Sequence, residues 1–421
     1  MASFFAPDVL TWAIAALATA GVILRPWRLP EAIWAVAGAV SLVLLTLLPW
    51  RDALGAVARG TDVYLFLIGM MLLAELAREE GLFDWLAAQA TRAARGDARR
   101  LFALVYLVGI FVTVFLSNDA TAVVLTPAVY AAARAARAEP LPYLFVCAFI
   151  ANAASFVLPI SNPANLVIFG RHMPSLTRWL VQFTLPSLLS IAATYGVLRI
   201  TQRRSLRQPI ARDIAAPSLS TDGRLAAAGI AITAVVLLLT SGFALPLGLP
   251  TFLAGTTTAA IVLGRKRRSP RRLLQGVSWS VLPLVAGLFV LVEGLAHTGL
   301  VGRLAALLQS AADRSVTDAS WLAGILSALA CNLMNNLPVG LIAGSLDAGH
   351  LSGPVSGALL IGIDLGPNLS VTGSLATILW LMAIRREGQD VGTWRFLRLG
   401  LVVMPPALIL ALGALLATAG L

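Results

Sequence analysis

The sequence predicts an all-α polytopic membrane protein built as two inverted halves, each with five transmembrane helices, one of them broken, and one re-entrant hairpin. Three observations predict this. Only 12% of the 421 residues are charged and 58% are hydrophobic, about half the charge of an average soluble domain. The apolar residues gather into runs of about 20, enough to cross a bilayer as helix. A polar motif in the first half also recurs in the second at a near-constant offset. The same composition excludes a disordered chain, a coiled coil and a secreted disulfide scaffold. The two cysteines, Cys147 and Cys331, cannot build a framework.

Full-length apolar spans read at 9–24, 31–50, 62–77, 141–170 and 179–198, and again at 224–241, 249–264, 277–296, 353–384 and 396–420. The first run, Val9 to Leu24, lacks a basic start and has Arg25 and Arg28 on its far side. It therefore reads as a span and not as a cleavable leader. The runs 141–170 and 353–384 are too long for one straight helix and carry Pro, Gly and Asn in their middles, which predicts broken helices. Two more apolar stretches, 101–133 and 320–346, are interrupted at Ser117-Asn118-Asp119 and at Asn335-Asn336.

Charge placement decides how these stretches lie. The net charge is +11, and every basic residue except Lys266 is arginine. The basic residues sit in short breaks between apolar runs, which excludes the continuous basic stripe of a nucleic-acid binder. With both termini outside (periplasmic, for an inner-membrane protein), 25 of the 31 basic residues fall on the cytoplasmic side. The outside keeps Arg51, Arg59, Arg171, Arg178, Arg303 and Arg314. This split requires 101–133 to return to the side it left, since Arg99/Arg100 and Arg134/Arg137 flank it. The first hairpin is thus expected to open inward and its counterpart at 320–346 outward.

The internal repeat agrees. Glu75 to Leu82 matches Glu293 to Leu300 at an offset of 218, and Asn118-Asp119 matches Asn335-Asn336 at 217. Ser161-Asn162-Pro163-Ala164-Asn165-Leu166 corresponds to Gly366-Pro367-Asn368-Leu369. The expected organisation is a first repeat over 1–200, a cytoplasmic linker over 201–223 and a second repeat over 224–421. Five spans per repeat invert the second copy, the plan of many secondary transporters.

Interrupted backbone is tolerated in lipid only where it is buried or lines a cavity. The four symmetric breaks therefore predict a substrate cavity, although Asn and Ser also serve as helix caps. The candidate lining residues are Ser117, Asn118, Asp119, Thr121, Ser161, Asn162, Asn165, Asn335, Asn336, Asn368 and Thr372. Four carboxylates lie in apolar spans: Glu75, Asp119, Glu293 and Asp364. No Arg or Lys occupies the central part of any span, which argues against ion pairing and for carboxyls that are protonated or face water. Asp119, at the first hairpin tip, is the leading candidate to carry a proton or ion, followed by Asp364. Glu75 and Glu293 either share that role or brace neighbouring helices. A site of carboxylates, amides and hydroxyls suits a neutral polyhydroxyl solute or a cation. His172 and His350 are expected in outer loops and His297 at an interface. Cys331 lies near the second tip and could add a soft ligand. No phosphate-binding GxxxxGK[ST] loop occurs, and neither a catalytic residue nor a resident metal or cofactor is expected.

At these residues the chain resembles the ArsB-type arsenite/antimonite efflux permeases of the ion transporter superfamily. Gly362-Ile-Asp-Leu-Gly-Pro-Asn-Leu-Ser-Val-Thr-Gly-Ser-Leu-Ala-Thr-Ile-Leu-Trp380 looks like the family's second broken helix almost residue for residue. Phe115 to Pro127 looks like its first hairpin tip, and Asn335-Asn336-Leu-Pro338 resembles the second. Ser161-Asn-Pro-Ala-Asn165 resembles the first broken helix in a form shared widely across the superfamily. The resemblance implies the superfamily fold, a scaffold and a mobile transport domain, elevator-like alternating access and often a homodimer. It further implies export of As(OH)3 and Sb(OH)3 in exchange for protons, in some members with an ArsA-type ATPase as partner. Two alternatives remain open at this point. One is a sodium/proton antiporter of the same superfamily, the other a channel subunit energised by a separate ATPase.

Overall fold

The computed structural model describes residues 7–212, 218–347 and 351–418. His350, the middle of the expected linker and both chain ends lie outside the described residues. Among those described there is no β-strand, only an isolated bridge between Asp97 and Pro209.

The first half runs α1 (Pro7–Leu24), α2 (Glu31–Leu44), α3 (Trp50–Arg59), α4 (Thr61–Glu79), α5 (Leu82–Ala93) and α6 (Ala98–Phe115). After a turn come α7 (Asn118–Ala120), a π-helical turn (Thr121–Leu125) and α8 (Thr126–Ala135). The broken span follows as α9 (Leu141–Ala153) and α10 (Pro163–Phe169), then α11 (Leu176–Thr201). The second half repeats the order: α12 (Thr221–Gly242), α13 (Gly248–Lys266), α14 (Arg271–Gly276), α15 (Val281–His297), α16 (Leu300–Arg314), α17 (Val316–Met334) and α18 (Asn336–Asp347). Its broken span is α19 (Gly353–Leu365) with α20 (Leu375–Arg386), and α21 (Thr393–Thr418) closes the chain.

Local chemistry sets these boundaries. Asp97 caps α6 by accepting from the backbone N–H of Arg99 at 2.8 Å. Ser220 and Ser315 cap α12 and α17 in the same way. Among the described residues six helices (α1, α6, α11, α12, α17 and α21) are each long and apolar enough to cross a membrane, and eight spans result if the bent pairs α3–α4 (46°) and α15–α16 (74°) each count as one. Ten spans were expected. Four expected spans are missing from the eight: α2, which stops at Leu44 before the chain restarts after Pro49, α13, and the two broken spans, which divide into shorter pieces. Two others, α6 and α17, were expected as hairpin arms and are long and apolar enough to count. Many apolar side chains on these helices are exposed, among them Leu17, Leu107, Leu188, Val235 and Ile409. Such an apolar exterior marks a surface that meets lipid.

The two halves pack in matching ways. α2 lies against α15 as α13 lies against α4, α6 runs along α9 as α17 runs along α19, and α11 packs on α21. At the α4–α13 crossing the backbones nearly touch. A Cβ on Gly69 would stand 2.3 Å from the Thr251 carbonyl oxygen, and one on Gly255 would stand 2.5 Å from that of Gly69. Gly287 allows the equivalent approach of α15 to Ala35 on α2. Without a hydrophobic drive between helices in lipid, such close packing is a main source of association. Around the broken helices the core is aromatic. Phe149 stacks on Phe396 with ring centroids 5.1 Å apart, Trp380 lies 5.7 Å from Phe396, and its indole N–H donates to the Leu144 carbonyl at 2.9 Å.

Candidate functional site

The breaks in α9–α10 and α19–α20 are held open by side chains that satisfy the freed backbone. In the first, Asn165 is fully buried, and its amide nitrogen donates to the carbonyls of Ser155 (3.0 Å), Leu158 (3.3 Å) and Pro159 (3.3 Å). Ser161 donates to the Val114 carbonyl in α6 at 3.2 Å, tying the break to the arm of the first hairpin. In the second break, Thr372 donates to the Asn332 carbonyl in α17 at 3.2 Å, the corresponding tie to the second hairpin. Asn332 strengthens it: its amide nitrogen donates to the Gly366 carbonyl at 3.0 Å, and its oxygen accepts from the Ser370 hydroxyl at 2.6 Å.

The half-helices are also cross-linked between the two halves. Asn162 caps α10 by accepting from the Ala164 N–H at 3.0 Å, and its amide nitrogen donates to Asp364 Oδ1 in α19 at 2.7 Å. Ser374 caps α20 by accepting from the Thr377 N–H at 3.1 Å, and its hydroxyl donates to Asn152 Oδ1 in α9 at 3.4 Å. Asn152 in turn donates to Asn368 Oδ1 at 3.0 Å, and Asn368 donates to the Phe149 carbonyl at 3.1 Å. Asp364 and Asn368 are thus bound inside the protein. One oxygen of Asp364, Oδ2, has no hydrogen-bond partner.

The two hairpin tips meet the half-helices at a single cavity of about 330 Å³. The tips contribute Asn118, Asp119 and Asn336, the half-helices Asn162, Pro163, Leu375 and Ala376, and α4 and α15 an apolar wall of Leu67, Val281 and Val285. The first tip is shaped by Ser117, which accepts from the Ala120 N–H at 3.1 Å, and by Asn118, whose oxygen accepts from the Asp119 N–H at 2.9 Å. Thr121 lies behind it, 2.8 Å from the Thr113 hydroxyl. The second tip turns at Asn335, whose φ of 75° lies in the left-handed region, and it is fastened by the Asn336 N–H donating to the Gly373 carbonyl at 2.9 Å. Within the described residues, the Asp119 carboxylate, the Asn336 side-chain amide and the Asn118 amide nitrogen make no hydrogen bond. The polar groups with free bonding capacity at this cavity therefore come from both tips.

The sequence-predicted residues separate accordingly. Asn118, Asp119, Asn162 and Asn336 line the cavity, and Ser117 lines an adjoining one of about 650 Å³ that shares Asp119, Leu67, Pro163 and Val281 with the first. Thr121, Ser161, Asn165, Asn335, Asn368, Thr372 and Asp364 stand behind the lining. Asn152, Asn332 and Ser374 were missed. Their signal was present, since each is a polar residue within a turn or two of a break, but nothing in the sequence showed which carbonyls they would meet. Cys331 is fully buried between α17 and α19, its thiol directed at the Ile363 carbonyl 3.7 Å away, and it does not line the cavity.

Glu75 and Glu293 correct the expectation that the carboxylates lack basic partners. Glu75 accepts from Arg78 at 2.8 and 2.5 Å, and Glu293 is paired with Arg59. His297 Nε2 lies 3.7 Å from Glu293 and 3.6 Å from Asp52. Both glutamates lie close to helix ends, where long arginine side chains fold back along the protein and bring their charge with them. Glu75 nevertheless lines the adjoining cavity, which continues past Glu75, Gly276, Val277 and Ser278 into a vestibule of about 1570 Å³. Arg78, Asp84, Arg386 and Glu387 line that vestibule. Among the described residues no cationic side chain lines either of the two inner cavities.

Two hairpin tips and two broken helices that enclose a polar cavity within an apolar helical shell define a multi-pass membrane transporter. The chain belongs to the family described as citrate transporter, whose model matches residues 14–363, and to the arsenical pump membrane proteins, as its relatives show. It is 30% identical over 366 residues to the arsenical pump membrane protein of Yersinia enterocolitica, covering 83% of this chain and 84% of that one. A second relative of the same description, from Escherichia coli, is 30% identical with the same coverage. An uncharacterized transporter of Mycobacterium tuberculosis is 25% identical over 418 residues, covering 95% of this chain and 96% of the other. The crystal structure of the YdaH transporter of Alcanivorax borkumensis shares the fold, with a TM-score of 0.58 at 16% identity over 98% of both chains.

Proposed function

We propose that this protein exports arsenite and antimonite, as the neutral hydroxides As(OH)3 and Sb(OH)3, in exchange for protons across the inner membrane. The observation that carries the reading is the cavity at the two tips: one unpaired carboxylate, two amides with free bonding capacity, an apolar wall and no cation. A neutral solute with three hydroxyls can donate to Asp119 and to amide oxygens and can accept from amide nitrogens. Citrate, the substrate in the matched family's description, brings carboxylates into a site that has no Arg or Lys to receive them, and burying such charge unpaired is costly.

In this reading Asp119 alternates between a proton and the substrate, so the two cannot leave together. The halves 1–200 and 224–421 are inverted repeats of five spans each, with α2, α13 and each broken pair counted as spans. The half-helices and hairpins, with α11 and α21, form the moving body and α4 and α15 the wall it slides along. Arg78 and Arg386 at the vestibule mouth favour the cytoplasmic side for it, and in this reading the cavity communicates inward. Glu75 and Glu293, held by Arg78 and Arg59, brace the scaffold. A homodimer and an ArsA-type ATPase as partner are compatible additions that the coupling does not require.

The test is uptake into everted vesicles with and without an imposed pH gradient. Wild type should accumulate arsenite and antimonite only with the gradient, citrate should not compete, and Asp119→Asn should accumulate neither while remaining folded. Uptake that survives collapse of the gradient overturns the proton coupling. Sodium-dependent proton release without arsenite uptake would instead identify a sodium/proton antiporter.

A further inference from the structure

A second pocket lies far from the cavity, where the start of α6 meets the end of α11. It measures about 950 Å³ and is lined by Arg99 on α6, Tyr195, Gly196, Arg199 and Ile200 on α11, and Arg203, Leu206 and Arg207 in the following turn. Four arginines thus line one concavity, and among the described residues none of the four has a carboxylate within ion-pair distance. The acid nearest in sequence, Asp97, spends its side chain capping α6 through the backbone N–H of Arg99 and Arg100. Arg199 stands over the Tyr195 ring, 5.9 Å from its centroid. Tyr195 packs on Tyr106 of α6, with centroids 5.0 Å apart, which fixes the groove between the two helices.

We propose that this pocket binds the phosphate head group of an anionic phospholipid from the surrounding leaflet. Unpaired arginines in a common pocket match phosphate oxygens in charge and in hydrogen-bond geometry. The setting distinguishes lipid from a soluble anion or an acidic protein. Ile200, inside the pocket, is 65% exposed, and deeper in the same two helices Leu107, Phe111 and Leu188 also present exposed apolar side chains. Arginines therefore stand at the end of a lipid-facing groove, with a tyrosine at the boundary, which is head-group height for a bound lipid with its acyl chains alongside α6 and α11.

The experiment uses the full-length protein purified in detergent and supplied with equal amounts of cardiolipin, phosphatidylglycerol and phosphatidylcholine, with retained lipid read by native mass spectrometry. Wild type should retain the anionic lipids over phosphatidylcholine. Arg199→Gln/Arg203→Gln should lower that retention about tenfold or more, whereas Arg268→Gln, on a different basic loop, should leave it unchanged. Arg99→Gln/Arg207→Gln provides an independent pair should the first double variant fail to fold, judged by size-exclusion profile. Equal retention by wild type and the pocket variants overturns the proposal. Displacement of the lipid by millimolar inorganic phosphate or glycerol phosphate overturns the lipid as the occupant and points to a soluble anion instead.

Discussion

The two halves build the same device twice with different chemistry. Where α10 starts, its cap Asn162 reaches across to a carboxylate, Asp364, at 2.7 Å; where α20 starts, its cap Ser374 reaches across to an amide, Asn152, at 3.4 Å. The hairpin tips differ in the same sense, with Asp119 on the first and Asn336 on the second, both on one cavity. In each pair an acid in one half is answered by a neutral amide in the other. Symmetry supplies the shared architecture, including the matched Glu75 and Glu293, and the departures from symmetry supply the acids at the tip and the break, Asp119 and Asp364. Of the two acids only Asp119 faces the cavity, while Asp364 is enclosed behind it.

The largest test of this contrast makes the first tip neutral like the second. Asp119→Asn should reduce gradient-driven arsenite uptake to the vesicle background, with the thermal unfolding midpoint in detergent little changed. The next compares the two caps. Asn162→Ala removes a helix cap and strips Asp364 of its donor, a cost of about 2–4 kcal/mol. Ser374→Ala removes a cap and a long cross-link, at about 1 kcal/mol. Thermal unfolding of the two variants side by side should rank them in that order, and equal losses would mean that the charged cross-link has no special weight. A third test concerns the second tip. Asn336→Ala should raise the half-saturating arsenite concentration about tenfold, the equivalent of one hydrogen bond, without abolishing the dependence on the pH gradient. The smallest effect is expected from Asp364→Asn, which makes α19 resemble α9. Its oxygen can still accept from Asn162, so stability should change by about 1 kcal/mol or less and transport should persist. Loss of coupled transport in this variant would move the proton from Asp119 to Asp364.

How much of this was legible in the sequence differs from residue to residue. Ser117-Asn118-Asp119 and Asn335-Asn336 stood out as polar interruptions of apolar runs, and both tips reach the cavity. Asn165 and Asn368 stood out for the same reason but serve the broken backbone, Asn165 by donating to three carbonyls. A sequence marks both kinds of asparagine alike because either use is a response to the same unpaired peptide groups. Glu75 and Glu293 misled in the opposite direction. Their arginines lie outside the central parts of the spans: Arg78 meets Glu75 as its i,i+3 neighbour on α4, whereas only the fold brings Arg59 to Glu293.

By itself the sequence determined that the chain lives in lipid, that it is helical and internally repeated, and where its helices must break. Those properties follow from local composition and spacing, which hydrogen-bonding requirements in a bilayer translate directly into structure. The tertiary structure decided which polar groups are spent on one another and which are left over. That depends on contacts between residues more than 200 positions apart, such as Asn162 with Asp364 and Asn152 with Asn368, and no local pattern encodes a partner so distant. The groups left over, Asp119 and Asn336 with the free amide nitrogen of Asn118, are the ones the proposed function assigns to the substrate.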